Sequence, residues 1–135
     1  MKDKQELKKE VWNKASLVDG YSPNVVRQDA CGAYMIFSQF ENQESPFGWD
    51  IDYIYPKDTL LEKGVDEQDV ENIINLRALQ WENKVSKGNS YPSYTAKVTG
   101  RDGKYIKEQK EFIIGQDIRK ELCDYFKIKD DDCQL

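Results

Sequence analysis

Histidine is missing from this chain of 135 residues. Its absence excludes zinc sites built on imidazole, Ser-His-Asp and Cys-His nucleophile systems, and a histidine that acts as general base. Cysteine is scarce, because the chain has only three, an odd number, and no C-x-x-C pair. A zinc ribbon or a complete disulfide framework is therefore not expected.

Long apolar runs are also missing. No stretch approaches the roughly 20 apolar residues of a membrane-spanning helix. The N-terminal residues 1–12 are charged and lack the apolar centre of a secretory signal, so we expect a cytoplasmic protein with no membrane partner. With 135 residues and 39% hydrophobic content, the chain suits a single domain. We predict that this domain covers residues 1–128 and that residues 129–135 form an acidic tail.

Charge is distributed unevenly along the chain, whose net charge is −5. Residues 31–72 carry net −8, whereas residues 73–120 carry net +5. A polyanion such as DNA could bind only on the second segment, and the acidic segment would oppose it. The basic side chains either are solubility charges or contact phosphates without reading the bases. The candidates are Arg77, Lys84, Lys87, Lys97, Arg101, Lys104 and Lys107.

The N-terminal part predicts two helices and a strand. Apolar residues spaced four apart predict an amphipathic helix over residues 3–16. The pair Ser22-Pro23 is typical of a helix start and predicts a short helix to about Gln28. Residues 33–40 carry apolar side chains on both faces, which indicates a strand covered on both sides.

The middle of the chain predicts a strand, a long loop, a strand and a helix. Alternating apolar residues predict a strand over residues 47–54, and a second apolar run predicts another over 73–79. The connection over 56–72 is long and acidic, with a helical turn possible at 66–71, and such loops tend to be functional or mobile. Residues 80–87 indicate a helix.

The C-terminal part predicts a β-hairpin and a last helix. Residues 94–99 and 104–114 read as strands around the turn Gly100-Arg101-Asp102-Gly103, a strong hairpin signal. Residues 117–126 predict the final helix, with Asp117 as its N-cap.

The strand–loop–strand–helix stretch resembles the HNH endonucleases of the ββα-metal (His-Me finger) fold. The typical run of that family is an aspartate-histidine pair before a proline, a loop, an asparagine-leucine pair, and a histidine that opens a helix with asparagine and lysine. The corresponding residues here are Asp52-Tyr53, Asn75-Leu76, Gln80, Asn83 and Lys87. Both motif histidines are replaced. Upstream residues extend the resemblance, to a bacterial subgroup, over residues 11–89.

The resemblance implies an α+β fold, with a ββα-metal hairpin at the centre, N-terminal helices before it and a β-hairpin plus helix after it. It also implies catalytic positions at Asp52, Tyr53 and Asn75. In the family the histidine at position 53 deprotonates the attacking water, the aspartate holds one divalent metal and the asparagine orients the base. Position 80 or 83 completes the metal site. For Asn75 itself, we expect that it bonds the backbone of the loop or strand and holds the shape of the hairpin.

Both replacements weaken this chemistry. Tyr53 has an ordinary pKa of about 10, far from the neutral value that suits a general base. It reads as a strand aromatic that fills the space of an imidazole, or alternatively as an activated tyrosinate. Gln80 is a poor metal ligand with an ordinary role at the helix start. Asp52 and Asn83 could still bind Mg²⁺ or Mn²⁺ weakly through oxygen.

Three functions follow as hypotheses. The leading one is a catalytically degenerate HNH-like protein, not an active enzyme, that retains nucleic-acid or protein binding. The first alternative is an active divergent HNH nuclease that hydrolyses DNA phosphodiesters with metal on Asp52 and Asn83. The second is a protein–protein interaction module that uses its acidic loop 58–71 or tail 130–132. A metal or base in the cleft, a basic face near the hairpin, or an apolar patch would separate them.

Overall fold

The computed structural model describes residues 2–129, which contain three separate two-stranded antiparallel sheets and five α-helices. This confirms the predicted α+β class. None of the helices within residues 2–129 is long and apolar enough to cross a membrane. Of the predicted acidic tail, residues 130–135 lie outside the described part. The elements are α1 Lys4–Trp12, β1 Val26–Gln28, β2 Tyr34–Ile36, β3 Trp49–Tyr53, α2 Lys57–Glu62, α3 Glu67–Val70, β4 Leu76–Gln80, α4 Trp81–Lys87, β5 Ser93–Arg101, β6 Lys104–Ile113 and α5 Gln116–Phe126.

Helix α1 begins at an aspartate cap and ends earlier than the predicted 3–16. The Asp3 carboxylate accepts a hydrogen bond from the backbone N–H of Glu6 at 2.9 Å, as an N-cap does. After Trp12 the backbone changes to the tighter i−3 hydrogen-bond pattern, which ends the α-helix. The buried Trp12 ring packs against Trp49 of β3 with ring centroids 5.1 Å apart, so α1 is anchored on the central hairpin.

The predicted short helix from Ser22 to Gln28 is wrong. The backbone N–H groups of Val25 and Val26 both donate to the Ser22 carbonyl, at 2.9 and 3.1 Å, which completes only one turn. Residues 26–28 then form β1 and pair antiparallel with β2. The strand is favoured here because Val26 is β-branched and becomes buried. The predicted strand 33–40 is also shorter, since the chain turns into a 3₁₀ helix at Phe37–Gln39.

Strands β3 and β4 form the central hairpin, and α4 follows β4 without a loop. The register pairs Asp52 with Arg77 and Tyr53 with Leu76, which confirms the predicted antiparallel pairing. The Gln80 side chain caps α4, accepting from the N–H groups of Glu82 at 2.8 Å and of Asn83 at 3.1 Å.

The long connection between β3 and β4 is more ordered than a loop. It contains α2 and α3, and the predicted helical turn at residues 66–71 corresponds to α3. Leu60 of α2 and Val70 of α3 are both fully buried. They join the same apolar cluster as Leu79 of β4, so burial explains why this acidic segment folds onto the domain.

The C-terminal hairpin β5–β6 turns at Asp102 and Gly103, both with positive φ, as a two-residue hairpin loop requires. Helix α4 packs against β5. Helix α5 begins after Gly115, so the prediction of Asp117 as its N-cap is wrong, and Asp117 lies in the first turn instead. Leu122 and Phe126 of α5 are buried in the cluster that contains Leu79.

Candidate functional site

Asp52 lies in β3 and is buried, with 3% of its surface exposed. Arg77, its cross-strand partner on β4, donates from Nε to Oδ2 at 3.1 Å. Lys87, in the last turn of α4, places its Nζ 3.6 Å from Oδ1 and is itself fully buried. Burial raises the pKa of Asp52, and the two cations act in the opposite direction. One carboxylate is thus held between two internal cations.

The two cations beside Asp52 determine whether its carboxylate could hold a divalent metal. Each oxygen of the Asp52 carboxylate already contacts a cation of the protein. Within residues 2–129, no group of three or more histidine, cysteine, aspartate or glutamate side chains could hold a metal ion. A divalent cation placed here would be repelled by Arg77 and Lys87. In this arrangement the residues around Asp52 do not fit Mg²⁺ or Mn²⁺.

The hydroxyl of Tyr53 is hydrogen-bonded to the carboxylate of Glu71. The hydroxyl is the donor, with the two carboxylate oxygens at 2.7 and 2.8 Å. Lys57 contacts the same carboxylate at 3.2 Å. Burial and the neighbouring Glu71 raise the pKa of Tyr53 above its ordinary value. The phenol therefore stays protonated at neutral pH, which favours the structural interpretation over an activated tyrosinate.

The hydrogen bonds of the Asn83 side chain go to groups other than Asp52. Its Nδ2 donates to Asp29 Oδ2 at 3.1 Å and to the Val98 carbonyl at 2.9 Å. Its Oδ1 accepts from the backbone N–H groups of Lys97 at 2.8 Å and Val98 at 2.9 Å. The amide that was expected to share a metal with Asp52 instead joins α4 to β5.

Asn75 also bonds the backbone. Its Oδ1 accepts from the N–H of Tyr55 at 2.8 Å, and its Nδ2 donates to the carbonyl of Tyr55 at 3.0 Å. A longer contact of 3.4 Å joins Nδ2 to the carbonyl of Val70. These bonds confirm the prediction that Asn75 holds the backbone around the hairpin. None of them orients Tyr53.

Asp29 was missed as a site residue. Its buried carboxylate accepts from the backbone N–H groups of Cys31 and Ala33, both at 2.9 Å, and of Gln80 at 3.0 Å, in addition to Asn83. It thereby connects the β1–β2 loop to the start of α4. The available signal was an aspartate close before a glycine, a pattern typical of turns in which the side chain bonds the following backbone.

The predicted nucleic-acid-binding residues form two groups, one paired with carboxylates in the β3–β4–α4 unit and one exposed on the β5–β6 hairpin. Lys87 is buried, the Arg77 side chain is only 13% exposed, and both pair with Asp52, so the expected surface role does not apply to them. Lys84, on the outer side of α4, pairs with Asp50 at 3.0 Å. The remaining candidates are exposed on the β5–β6 hairpin, namely Lys97, Arg101, Lys104 and Lys107.

The hairpin cations have few internal partners. Lys97 donates to Gln109, a neutral side chain, at 2.7 Å. Arg101, Lys104 and Lys107 make no ion pair within residues 2–129. Glu108 and Glu111 accept from threonine hydroxyls of β5, at 2.7 and 2.5 Å, and make no ion pair with these cations. Residues 93–113 carry five basic and three acidic side chains, so the hairpin has a net charge of +2 and its cations face solvent.

Comparison with known proteins adds no further constraint. No family model matches the chain, and neither the curated proteins nor the solved structures give a significant match. The function is therefore argued from the site itself.

Proposed function

We propose that this protein is a catalytically degenerate relative of the HNH nucleases that binds nucleic acid through the phosphates. The observation that carries the proposal is a division of charge. The cations of the β3–β4–α4 unit neutralise Asp52 and Asp50, whereas those of the β5–β6 hairpin are exposed and lack ion-pair partners in residues 2–129. The antiparallel pairing of β3 with β4, followed by α4, supports the ββα scaffold.

The proposal of lost catalysis rests on the two groups that hydrolysis needs. A general base should have a pKa near neutrality, and losing one costs about 10²–10⁴ in rate. Tyr53 has a raised pKa and donates its proton to Glu71. The carboxylate that would hold the metal is occupied by Arg77 and Lys87. The alternative of an active nuclease has no comparable support.

The proposal of nucleic-acid binding rests on the hairpin. Lysine binds phosphate as a point charge, whereas bidentate contact with a base edge favours arginine. Three of the four predicted hairpin candidates are lysines, so we expect binding that is weakly selective for sequence. Each phosphate contact releases counterions, and affinity should therefore fall steeply with added salt.

A fluorescence-anisotropy titration at low salt tests the binding. We expect wild-type protein to bind unrelated labelled duplexes alike, and the double variant Lys104→Glu with Lys107→Glu to bind all of them more weakly. The slope of log affinity against log salt should flatten by about one unit for each lysine that is lost. A control, Lys9→Glu with Lys127→Glu, changes net charge equally outside the hairpin and should affect binding less.

Two results would contradict this proposal. Absence of any anisotropy change with duplex or single strands at low salt and at protein concentrations up to about 10⁻⁴ M, the weak end of the roughly 10⁻⁴–10⁻⁶ M non-specific range, would remove nucleic-acid binding. The interaction-module hypothesis would then replace it. Plasmid cleavage with Mg²⁺ or Mn²⁺ between pH 7 and 9 is not expected, and cleavage abolished by Asp52→Ala would restore the nuclease hypothesis.

A further inference from the structure

A cavity of about 610 Å³ lies beside β4, on a part of the molecule not used by the proposed function. Its walls come from the segment after α1, the end of β1, the 3₁₀ turn before β4, and α5. Most of the lining is apolar, with isoleucine at positions 54, 73, 74 and 118. Sites for small molecules usually enclose about 300–1,000 Å³ and combine such walls with a few polar groups. Its size and lining therefore suit a small organic ligand.

Two cations also line this cavity, and the first is Lys14. Its Nζ donates to the carbonyl of Ile73 at 2.7 Å and to that of Leu76, both of which are neutral acceptors. Lys14 makes no ion pair within the described part of the chain. Burial lowers the pKa of Lys14, whereas the carboxylate of Glu121 acts in the opposite direction and Arg77 adds a smaller lowering effect. The hydrogen-bond acceptors of the ammonium group are thus neutral carbonyls, and no carboxylate lies within ion-pair distance of it in the described part of the chain.

The second cation is Arg77. Its ion pair with Asp52 uses Nε, while Nη2 is buried without a hydrogen-bond partner in the described structure. Two acidic residues share the lining, but neither pairs with these cations. Both oxygens of Asp29 accept N–H donors, and Glu121 lies beyond ion-pair distance of Lys14. Lys14, whose acceptors are neutral, and Nη2 of Arg77, which has none, are therefore donors that an anionic group of a ligand would accept from, in charge-assisted hydrogen bonds.

We propose that this cavity binds a small organic anion, an apolar or aromatic body that carries one carboxylate, sulfonate or phosphate group. The acidic group contacts Lys14 beside Arg77, and the body packs against the isoleucine walls. Charge sets the orientation and apolar contact supplies most of the affinity. This inference does not depend on nucleic-acid binding.

A matched pair of fluorescent dyes tests the proposal. 8-Anilinonaphthalene-1-sulfonate is anionic, and N-phenyl-1-naphthylamine has the same aromatic body without the sulfonate. We expect saturable binding of one anionic dye per chain. The variant Lys14→Gln should weaken that binding about tenfold, as loss of one charge-assisted hydrogen bond does, and leave the neutral dye unchanged. Lys14→Arg should restore it.

Two exposed isoleucines supply a steric control. Ile118 lines the cavity and is 42% exposed, whereas Ile113 of β6 is 59% exposed and lies outside it. Ile118→Trp should reduce the binding of both dyes, and Ile113→Trp should not. Equal effects of the two tryptophans, or equal weakening of both dyes by Lys14→Gln, would overturn the proposal. Displacement of the dye by inorganic phosphate alone would also overturn it, because a simple anion site needs no apolar wall.

A measurement on the wild-type protein avoids the risk that a variant fails to fold. The isoleucine δ1 methyl signals should shift on titration with the anionic dye at positions 54, 73, 74 and 118. The methyl groups of Ile106 and Ile113, on the β6 strand, should not shift. Shifts of similar size on both sets would show binding to loosely packed surface and would contradict a defined site.

Discussion

The central β3–β4–α4 unit and the β5–β6 hairpin use the same type of side chain in opposite ways. In the central unit every lysine or arginine is paired with a carboxylate, and Lys87 is fully buried. On the hairpin, lysine and arginine side chains are exposed, and none of them makes an ion pair in the described part of the chain. The first arrangement stabilises the fold, and the second leaves charge exposed to solvent, as the proposed binding of phosphates requires.

The difference follows from burial. A charge in the interior interacts strongly with its neighbours but loses its hydration, so it requires a partner. The buried carboxylate of Asp52 therefore requires Arg77 and Lys87 as partners if the central unit is to be stable. A surface lysine keeps its water and costs little when unpaired. Sequence alone shows twenty lysine and arginine residues, and only their positions in the fold separate the two uses.

The strongest test of this comparison is Asp52→Ala. Removing the carboxylate leaves the buried Lys87 and the largely covered Arg77 without a counter-charge, which should lower the free energy of unfolding by about 3–5 kcal/mol. Urea unfolding followed by circular dichroism measures the loss.

Asp50→Ala is the matched control. Asp50 lies on the same strand and pairs with Lys84, but the side chains of that pair are 32% and 37% exposed. Solvent screens such a pair, so the loss should be only about 0–1 kcal/mol. Equal losses at positions 50 and 52 would show that burial does not distinguish the two pairs, and the comparison would fail.

A second test addresses the link between the two regions. Asn83→Ala deletes the amide that accepts from the N–H groups of Lys97 and Val98 and donates to Asp29. Leaving buried groups unsatisfied should lower the free energy of unfolding by about 3 kcal/mol. Hydrogen exchange should also accelerate at the amides of Lys97 and Val98. The exposed Asn89 provides the control Asn89→Ala, for which we expect no change in either quantity.

Unchanged exchange at Lys97 and Val98 in the Asn83→Ala variant would contradict this linkage. It would mean that the backbone pairing of β5 with β6 protects these amides without help from α4. The hairpin would then be held to the central unit by apolar contacts, and the two regions would be less coupled than the hydrogen bonds indicate.

Local signals predicted much of the fold because the features concerned are local. The turn at Asp102-Gly103 needs positive φ, which glycine supplies directly. The order of β3, β4 and α4 follows from apolar spacing, with ends misplaced by up to three residues. The short helix predicted to end at Gln28 failed because a Ser-Pro start does not show whether the next residues pair with a distant strand. That pairing, with β2, is a tertiary contact.

The site was less predictable than the fold because its contacts are remote in sequence. Asp29 bonds Asn83, 54 positions away, and Asp52 contacts Arg77 and Lys87 across two elements. Charge can be read from the sequence, but burial cannot. Arg77 and Lys87 were therefore grouped with the surface cations, although the structure places them around Asp52. The absence of histidine was visible at once, since it is a matter of composition.

The smallest expected change in stability gives the most direct comparison between the exposed lysines of the hairpin and the buried lysine of the central unit. Lys104→Gln with Lys107→Gln should change the free energy of unfolding by less than about 0.5 kcal/mol, because neither exposed lysine makes an ion pair within residues 2–129. Lys87→Gln, the same substitution in the interior, should cost about 3 kcal/mol by leaving Asp52 with one partner. Urea midpoints for the three proteins decide this. If the lysine pair of the hairpin lowered the free energy of unfolding by more than about 1 kcal/mol, those lysines would contribute to folding. Unchanged stability together with weaker binding to DNA would instead show that they serve binding.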